Sequence, residues 1–426
     1  MGKFVGYRCS LCGTEYGPAE ITYTCPKDGG NLDVVLDIDM LRGKYQPSDI
    51  VSRADASLWR YLPLLPVAEV PAGATPLRAA GWTPVFNLAG LGESLGLRQL
   101  WLKDESRNPT ASFKDRASAL VIARAIEMNA EVVITASTGN AGAALAGMAA
   151  AVGQKAVVVA PKSAPPAKVA QLLIFGATVA LVDGSYDDAF DLTVKAANEF
   201  GWYCRNTGYN PFTAEGKKTA AFEIWEWWEQ AHENWHLEIG GGAEHAPLTI
   251  FVSVGDGNII SGIHKGFKDL SELGWIPQMP RLVGVQAEGS AAVANAFRSD
   301  GEKIVPVSAK TLADSISVDL PRDGVRAVRA ARQTGGTYVT VSDGEILDAV
   351  ATLGRVGIFA EPAGATAYAG LVRAFHSGLL GSEDPILILN TGSGLKDIKA
   401  AMQAAGEAPV IEPTLGALSG LLRRPP

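Results

Sequence analysis

Cysteine and histidine are both scarce. Four cysteines among 426 residues cannot frame a disulfide-built secreted domain. Five histidines leave little for a histidine-rich metal centre. No apolar segment of signal-peptide type follows Met1-Gly2-Lys3-Phe4. No uncharged apolar run is long enough for a membrane span; the Ala/Gly-rich stretch 141–153 is closed by Gln154-Lys155. These absences fit a reduced, cytoplasmic setting. Charged residues are only 19% of the chain, too few for a coiled coil, and the formal charge of −8 argues against nucleic-acid or acidic-membrane partners. What is plentiful is apolar residues, at 47%, enough to bury two lobes and an appendage. Glycine, with 47 residues, falls at the ends of apolar runs, where turns and ligand loops need it.

Three of the four cysteines lie in a unit of about 36 residues at the start. Cys9-x-x-Cys12 is followed by Cys25-Pro26-Lys27-Asp28-Gly29-Gly30. Two such knuckles make a zinc ribbon when four ligands converge on the ion. Asp28 stands in the fourth position, so two readings stay open: a zinc site of Cys9, Cys12, Cys25 and Asp28, or a degenerate ribbon kept for its fold. Residues 37–74, with four prolines, read as a connecting arm, and residues 413–426 as a loosely held tail. Between them, residues 75–412 alternate short apolar strands (131–136, 155–160, 177–182, 248–254, 281–287, 337–341, 385–389) with helical segments. That pattern predicts an α/β core of parallel-rich sheets flanked by helices. A smaller lobe, roughly 105–215, is expected as an insertion in the larger one. The tryptophans 225, 227 and 228 read as packing residues on a helix, and Cys204 as a buried structural thiol.

Four segments carry chemistry. Lys114, in Asn108-Pro-Thr-Ala-Ser-Phe-Lys-Asp-Arg116, sits at a loop-to-helix junction; an amine desolvated there becomes a nucleophile and base. Ser137-Thr138-Gly139-Asn140 follows a strand and opens a helix, a cradle suited to a carboxylate. Gly255-Asp256-Gly257-Asn258-Ile259 offers backbone N–H groups to a phosphate, again between strand and helix. Thr391, in Thr391-Gly-Ser-Gly-Leu-Lys-Asp397, ends a strand with a hydroxyl that suits a ring nitrogen. Each segment alone is also ordinary surface, turn or cap chemistry. Together they form the inventory for an amino acid bound to a pyridoxal cofactor.

The segments NPTASFKDR, ASTGNAG and TGSGLKD closely resemble signatures of the threonine synthase family, within the fold-type II (tryptophan-synthase-β-like) pyridoxal-phosphate enzymes. Thr75-Pro-Leu77 and Phe359-Ala-Glu-Pro-Ala363 match further landmarks, and the likeness runs from about Thr75 to Lys399. It implies a two-lobed enzyme in which Lys114 carries pyridoxal 5'-phosphate as a Schiff base. Asn140 would contact the cofactor's 3′ oxygen, Gly255–Ile259 its phosphate, and Thr391 its ring nitrogen. Ser137, Thr138 and Asn140 would grip the substrate carboxylate. A small amino-acid substrate and a homodimer are likewise implied. Two departures stand out. Ala141 occupies a position that often holds threonine. Thr213 stands about where the family carries an arginine for the substrate's own phosphate, leaving Lys217, Lys218, Arg205 or Lys103 to compensate. GDGNI also replaces a common GNAGN, so Asp256 is expected to turn away from the phosphate or pair with a cation. The expected reaction is threonine synthesis from O-phospho-L-homoserine. The alternative is an ammonia-lyase on threonine, serine or a hydroxyaspartate, or a β-replacement synthase resembling cysteate synthase.

Overall fold

In a computed structural model of the chain, residues 3–71, 76–137, 139–164, 166–239 and 246–422 are described; Thr75 and Thr138 fall outside them. Strands β1 (Phe4–Cys9), β2 (Glu15–Tyr16) and β3 (Leu32–Leu36) form a small antiparallel sheet in the order β2-β1-β3. Alternation along β3 turns Leu32, Val34 and Leu36 inward, onto the main core. The segment expected as an arm carries short helices, Ile38–Lys44 and Pro47–Val51, and a 3₁₀ stretch, Leu58–Leu64. Its Trp59 and Tyr61 are fully buried, so it packs against the body and does more than connect. The tail forms an exposed helix, Leu415–Leu422, entered through a Thr414 side-chain cap.

Two larger sheets follow. The larger has six strands: β4 (Val85–Asn87), β5 (Leu100–Asp104), β10 (Thr249–Ser253), β11 (Arg281–Ala287), β12 (Thr337–Val341) and β13 (Ile386–Asn390). The other has four: β6 (Val132–Ala136), β7 (Lys155–Pro161), β8 (Thr178–Val182) and β9 (Tyr203–Cys204). Their orders are β12-β11-β10-β13-β5-β4 and β8-β7-β6-β9. Every pairing in them is parallel except β4 with β5 at the edge. Strands such as β6, β10 and β13 are buried along their whole length, as parallel strands covered on both faces must be. The α/β architecture of parallel-rich sheets flanked by helices expected from sequence is the one observed.

β4, β5 and β9 were not among the expected strands. β5 reads Leu-Trp-Leu-Lys-Asp, and its last two residues look like surface chemistry. Both are nonetheless buried. Lys103 donates to Glu223 at 2.7 Å and to the Thr83 carbonyl at 2.9 Å, while Asp104 accepts from Asn390 of β13 at 2.8 Å. Paired charges can enter a core that unpaired ones cannot.

Candidate active site

Four strands end at one place. Past the C-terminal ends of β5, β6, β10 and β13 lie Lys114, Ser137–Asn140, Gly255–Ile259 and Thr391, and all four segments line a single cavity of about 370 Å³. Parallel sheets place ligand sites beyond their carboxyl ends, where helices begin. Three loops are knitted together beneath the cavity. Phe113 N donates to Thr391 O (2.9 Å), Ser393 N to Ala111 O (3.1 Å), Glu361 N to Gly392 O (3.0 Å) and Gly394 N to Phe359 O (2.8 Å).

Lys114 opens the helix Lys114–Glu127. Its approach is held stiffly. Asp115 accepts from Thr110 N at 2.6 Å and from the Thr110 hydroxyl. Arg116, fully buried, forks onto Glu105 at 2.7 and 2.8 Å and also reaches Glu223. Asn108 donates to Glu105 and accepts from Gly81 N. Ala111 takes a left-handed φ of 62°, tolerated by a non-glycine residue only when the surroundings fix it. Burial lowers the Lys114 pKa; Glu361 opposes this and Arg205 adds to it. A lowered pKa is what a nucleophilic amine requires.

Two helix starts at the cavity, each preceded by a glycine, leave their N–H groups free of side-chain caps. Gly139 precedes the helix Asn140–Ala150, and Gly257 precedes Asn258–Glu272. Gly257 has φ 91°, and a Cβ there would lie 2.7 Å from Ala327 Cβ and 2.8 Å from Asp323 O, so only glycine fits. Asn258 is clamped between Lys217 and Asp323. Asp256 lines the cavity and accepts from Arg322 N at 3.3 Å. Burial raises its pKa, with Lys114, Lys217 and Arg322 opposing. It stays at the cavity and, among the described residues, forms no direct ion pair. Lys217 is driven well below its usual pKa by burial and by the neighbouring Lys114 and Arg205 cations. Helix-start N–H groups free of side-chain caps are the signature of an anion site.

Of the residues singled out from sequence, Lys114, Ser137, Asn140, Gly255, Asp256, Gly257, Asn258, Ile259 and Thr391 share the cavity. Thr138 lies outside the described residues. Thr213 is not brought there: it is fully buried and its hydroxyl donates to the Asn210 carbonyl at 2.7 Å, capping its own turn. Among the proposed compensating cations, Lys217 lines the cavity. Lys218 is paired with Glu215 and Asp269, and Lys103 with Glu223. Arg205 bonds Ser118 and Thr207 and keeps one buried nitrogen, Nη2, without a partner among the described residues. Two further groups lie at the site that were given no role from sequence. Glu361 accepts from Asn140 Nδ2 at 2.7 Å, and the signal was its place in the Phe-Ala-Glu-Pro-Ala landmark. The segment Asp314–Leu320 forms one wall, and Asp314 pairs with Lys168. Cys204 is buried, and burial pushes its thiol up to about 12, in keeping with a structural role.

The comparisons with known proteins agree with this geometry. The family model "Pyridoxal-phosphate dependent enzyme" matches residues 77–392. The chain is 36% identical to threonine synthase of Methanocaldococcus jannaschii, over 98% of this chain and 99% of that one. It is 34% identical to threonine synthase of Methanosarcina acetivorans, over 96% and 97%. Among solved structures, diaminopropionate ammonia lyase of Escherichia coli superposes with TM-score 0.65 at 21% identity, covering 85% of this chain and 94% of that one. Threonine deaminase isoform 2 of Solanum lycopersicum superposes with TM-score 0.63 at 21%, covering 80% and 92%. The chain belongs to the pyridoxal-phosphate-dependent enzymes, as a threonine-synthase-like lyase of fold type II whose cofactor is pyridoxal 5'-phosphate.

Proposed function

We propose that the protein is a threonine synthase, converting O-phospho-L-homoserine and water to L-threonine and phosphate. The observation that carries this reading is the convergence of Lys114, the Ser137–Asn140 helix start, the Gly255–Ile259 loop and Thr391 on one cavity, in a chain similar to threonine synthases along nearly its whole length. The residues fit the cofactor. Ser253 Oγ is buried at the cavity without a partner among the described residues, and the N–H groups at the start of the helix Asn258–Glu272 carry no side-chain cap. Gly255–Ile259, with Lys217 behind Asn258, would hold the phosphate. Asn140 would hold the 3′ oxygen and Thr391 the ring nitrogen, while Ser137 and Thr138, with Asn140, would take the substrate carboxylate. A neutral hydroxyl at the ring nitrogen suits controlled elimination better than transamination.

Bound to the substrate's amine, pyridoxal phosphate supplies the electron sink that makes Cα–H acidic. Lys114, its pKa lowered by burial, would remove the Cα proton and then move the Cβ proton. Phosphate leaves from Cγ and water adds at Cβ. Arg322, on the cavity wall, would supply positive charge toward the anions present during turnover, and Lys217 holds the Asn258 side chain beside the Gly255–Ile259 loop.

The second reading is an ammonia-lyase on threonine, serine or a hydroxyaspartate, or a β-replacement synthase resembling cysteate synthase. Ala141 on the wall and the inward-turned Thr213 favour it, because both withhold contacts from a substrate phosphate. Cofactor-loaded protein given O-phosphohomoserine should yield threonine and free phosphate by mass spectrometry. No product from it, with 2-oxoacid and ammonia from threonine or serine, would overturn the first reading in favour of the second. Both readings keep the protein a cytoplasmic enzyme of small amino acids. Among the described residues no helix is long and apolar enough to cross a membrane.

A further inference from the structure

The two cysteine-bearing turns of the N-terminal sheet are built alike. In the first, Cys9 N donates to Thr14 O (2.8 Å) and Gly13 N to Cys9 O (3.0 Å); in the second, Cys25 N donates to Gly30 O (2.9 Å) and Gly29 N to Cys25 O (2.8 Å). Gly13 and Gly29 take left-handed φ values of 71° and 70° at the same step. By this correspondence Asp28 occupies the place in the second turn that Cys12 holds in the first. The four ligand atoms face one another, all within 4.8 Å. Cys12 Sγ lies 3.8 Å from Cys25 Sγ, and Cys9 Sγ lies 3.3 and 3.6 Å from the two Asp28 oxygens. Metal–sulfur bonds of about 2.3 Å and a metal–oxygen bond of about 2.0 Å, set tetrahedrally, put sulfur about 3.8 Å from sulfur and about 3.5 Å from oxygen.

We propose that Cys9, Cys12, Cys25 and Asp28 bind one zinc-class divalent ion tetrahedrally. The partners around the ligands are those a metal knuckle uses. Leu11 N donates to Cys9 Sγ at 3.3 Å, Gly30 N to Asp28 Oδ1 at 2.8 Å, and the Tyr16 hydroxyl lies 3.0 Å from Cys25 Sγ. Gly30 is required beside the site, since a Cβ there would lie 2.7 Å from Cys9 Sγ. On binding, the thiols give up their protons to solvent and the ion takes three thiolates and one carboxylate. No catalytic step passes through it; the ion closes the ribbon. The sulfur-rich donor set selects zinc over magnesium or calcium, which take oxygen.

The test uses the full-length, cofactor-loaded protein, passed over a chelating resin and assayed by inductively coupled plasma mass spectrometry. The expected result is one zinc per chain, released by an organomercurial that titrates thiols. Protein stripped in this way and given cobalt(II) should show thiolate charge-transfer absorption and the visible bands of a tetrahedral ion. Cys12→Ser and Asp28→Asn should weaken retention about tenfold or more. Asp28→Cys should keep the ion and raise the charge-transfer band from three thiolates' worth to four, a gain that a merely unfolded variant cannot produce. Metal-free protein that takes up zinc and cobalt no more tightly than about 1 µM would overturn the proposal, as would an Asp28→Cys variant with no change in the cobalt spectrum.

Discussion

Lys114 was legible as a residue because its neighbours named it, not because a lysine between phenylalanine and aspartate is unusual. The structure adds burial, which with Arg205 lowers its pKa against the opposing Glu361. Lys114→Ala is expected to abolish the Schiff-base absorbance and lower kcat by about a thousandfold or more; spectra and steady-state rates check both. Asn140 was read toward the cofactor, yet its amide also donates to Glu361. Asn140→Ala and Glu361→Ala should therefore be non-additive in kcat/KM, with a coupling of about 1–3 kcal/mol in a double-mutant cycle. Additive losses would mean that the two side chains act separately. Thr213 shows the limit of reading position from an aligned motif. Its number in the chain suggested a substrate contact, but a one-turn capping bond spends its hydroxyl locally, and no sequence pattern distinguishes those two fates.

Elements fared better where periodicity was clean. The strands β11 and β12 have the bounds expected from sequence. β5 was lost because its charges are paired with residues far along the chain. Lys103 meets Glu223 across 120 positions, and Arg116 meets Glu223 across 107. Arg116→Met would leave Glu105 and Glu223 buried without their main counter-charge and should cost about 3–5 kcal/mol in denaturant unfolding. Close packing of helices is equally silent in sequence. A Cβ on Gly216 would sit 2.1 Å from the Arg116 carbonyl oxygen, pressing the helix Phe212–Lys217 against the one that starts at Lys114. Gly216→Ala should cost about 3 kcal/mol and lower cofactor affinity, measured by chemical denaturation and by cofactor titration. An unchanged affinity would mean that the two helices do not set the position of Lys114.

For the molecule as a whole, the α/β class and the order of the four site segments could be read from strand–loop–helix alternation. How the sheets sit together could not, since that depends on buried partners distant in sequence. Stability against acid belongs to this scale. His264 is buried with Nε2 unpartnered among the described residues. Burial lowers its pKa from 6.5 to about 4, with Lys268 adding and Asp33 opposing. The unfolded chain therefore takes up the proton first. Its contribution is complete above pH 6.5 and is lost as pH falls from 6.5 toward 4, on the order of 3 kcal/mol when complete. Thermal melts across that window should show the loss, and His264→Gln should flatten it.

The small N-terminal sheet is fastened to residues made long after it. The Asn31 side chain donates to the carbonyls of Gly208 and Arg322, 177 and 291 positions away. Arg326 returns to Leu32 O and Asp33, and Arg329 to Ser10 O. During synthesis this sheet must wait, undocked, until residues 322–329 have left the ribosome, so what is made early is seated late. Nascent chains stalled before Arg322 should be cleaved within residues 4–36 by a protease that spares the finished protein, which would make the docking of this sheet a checkpoint for completed translation.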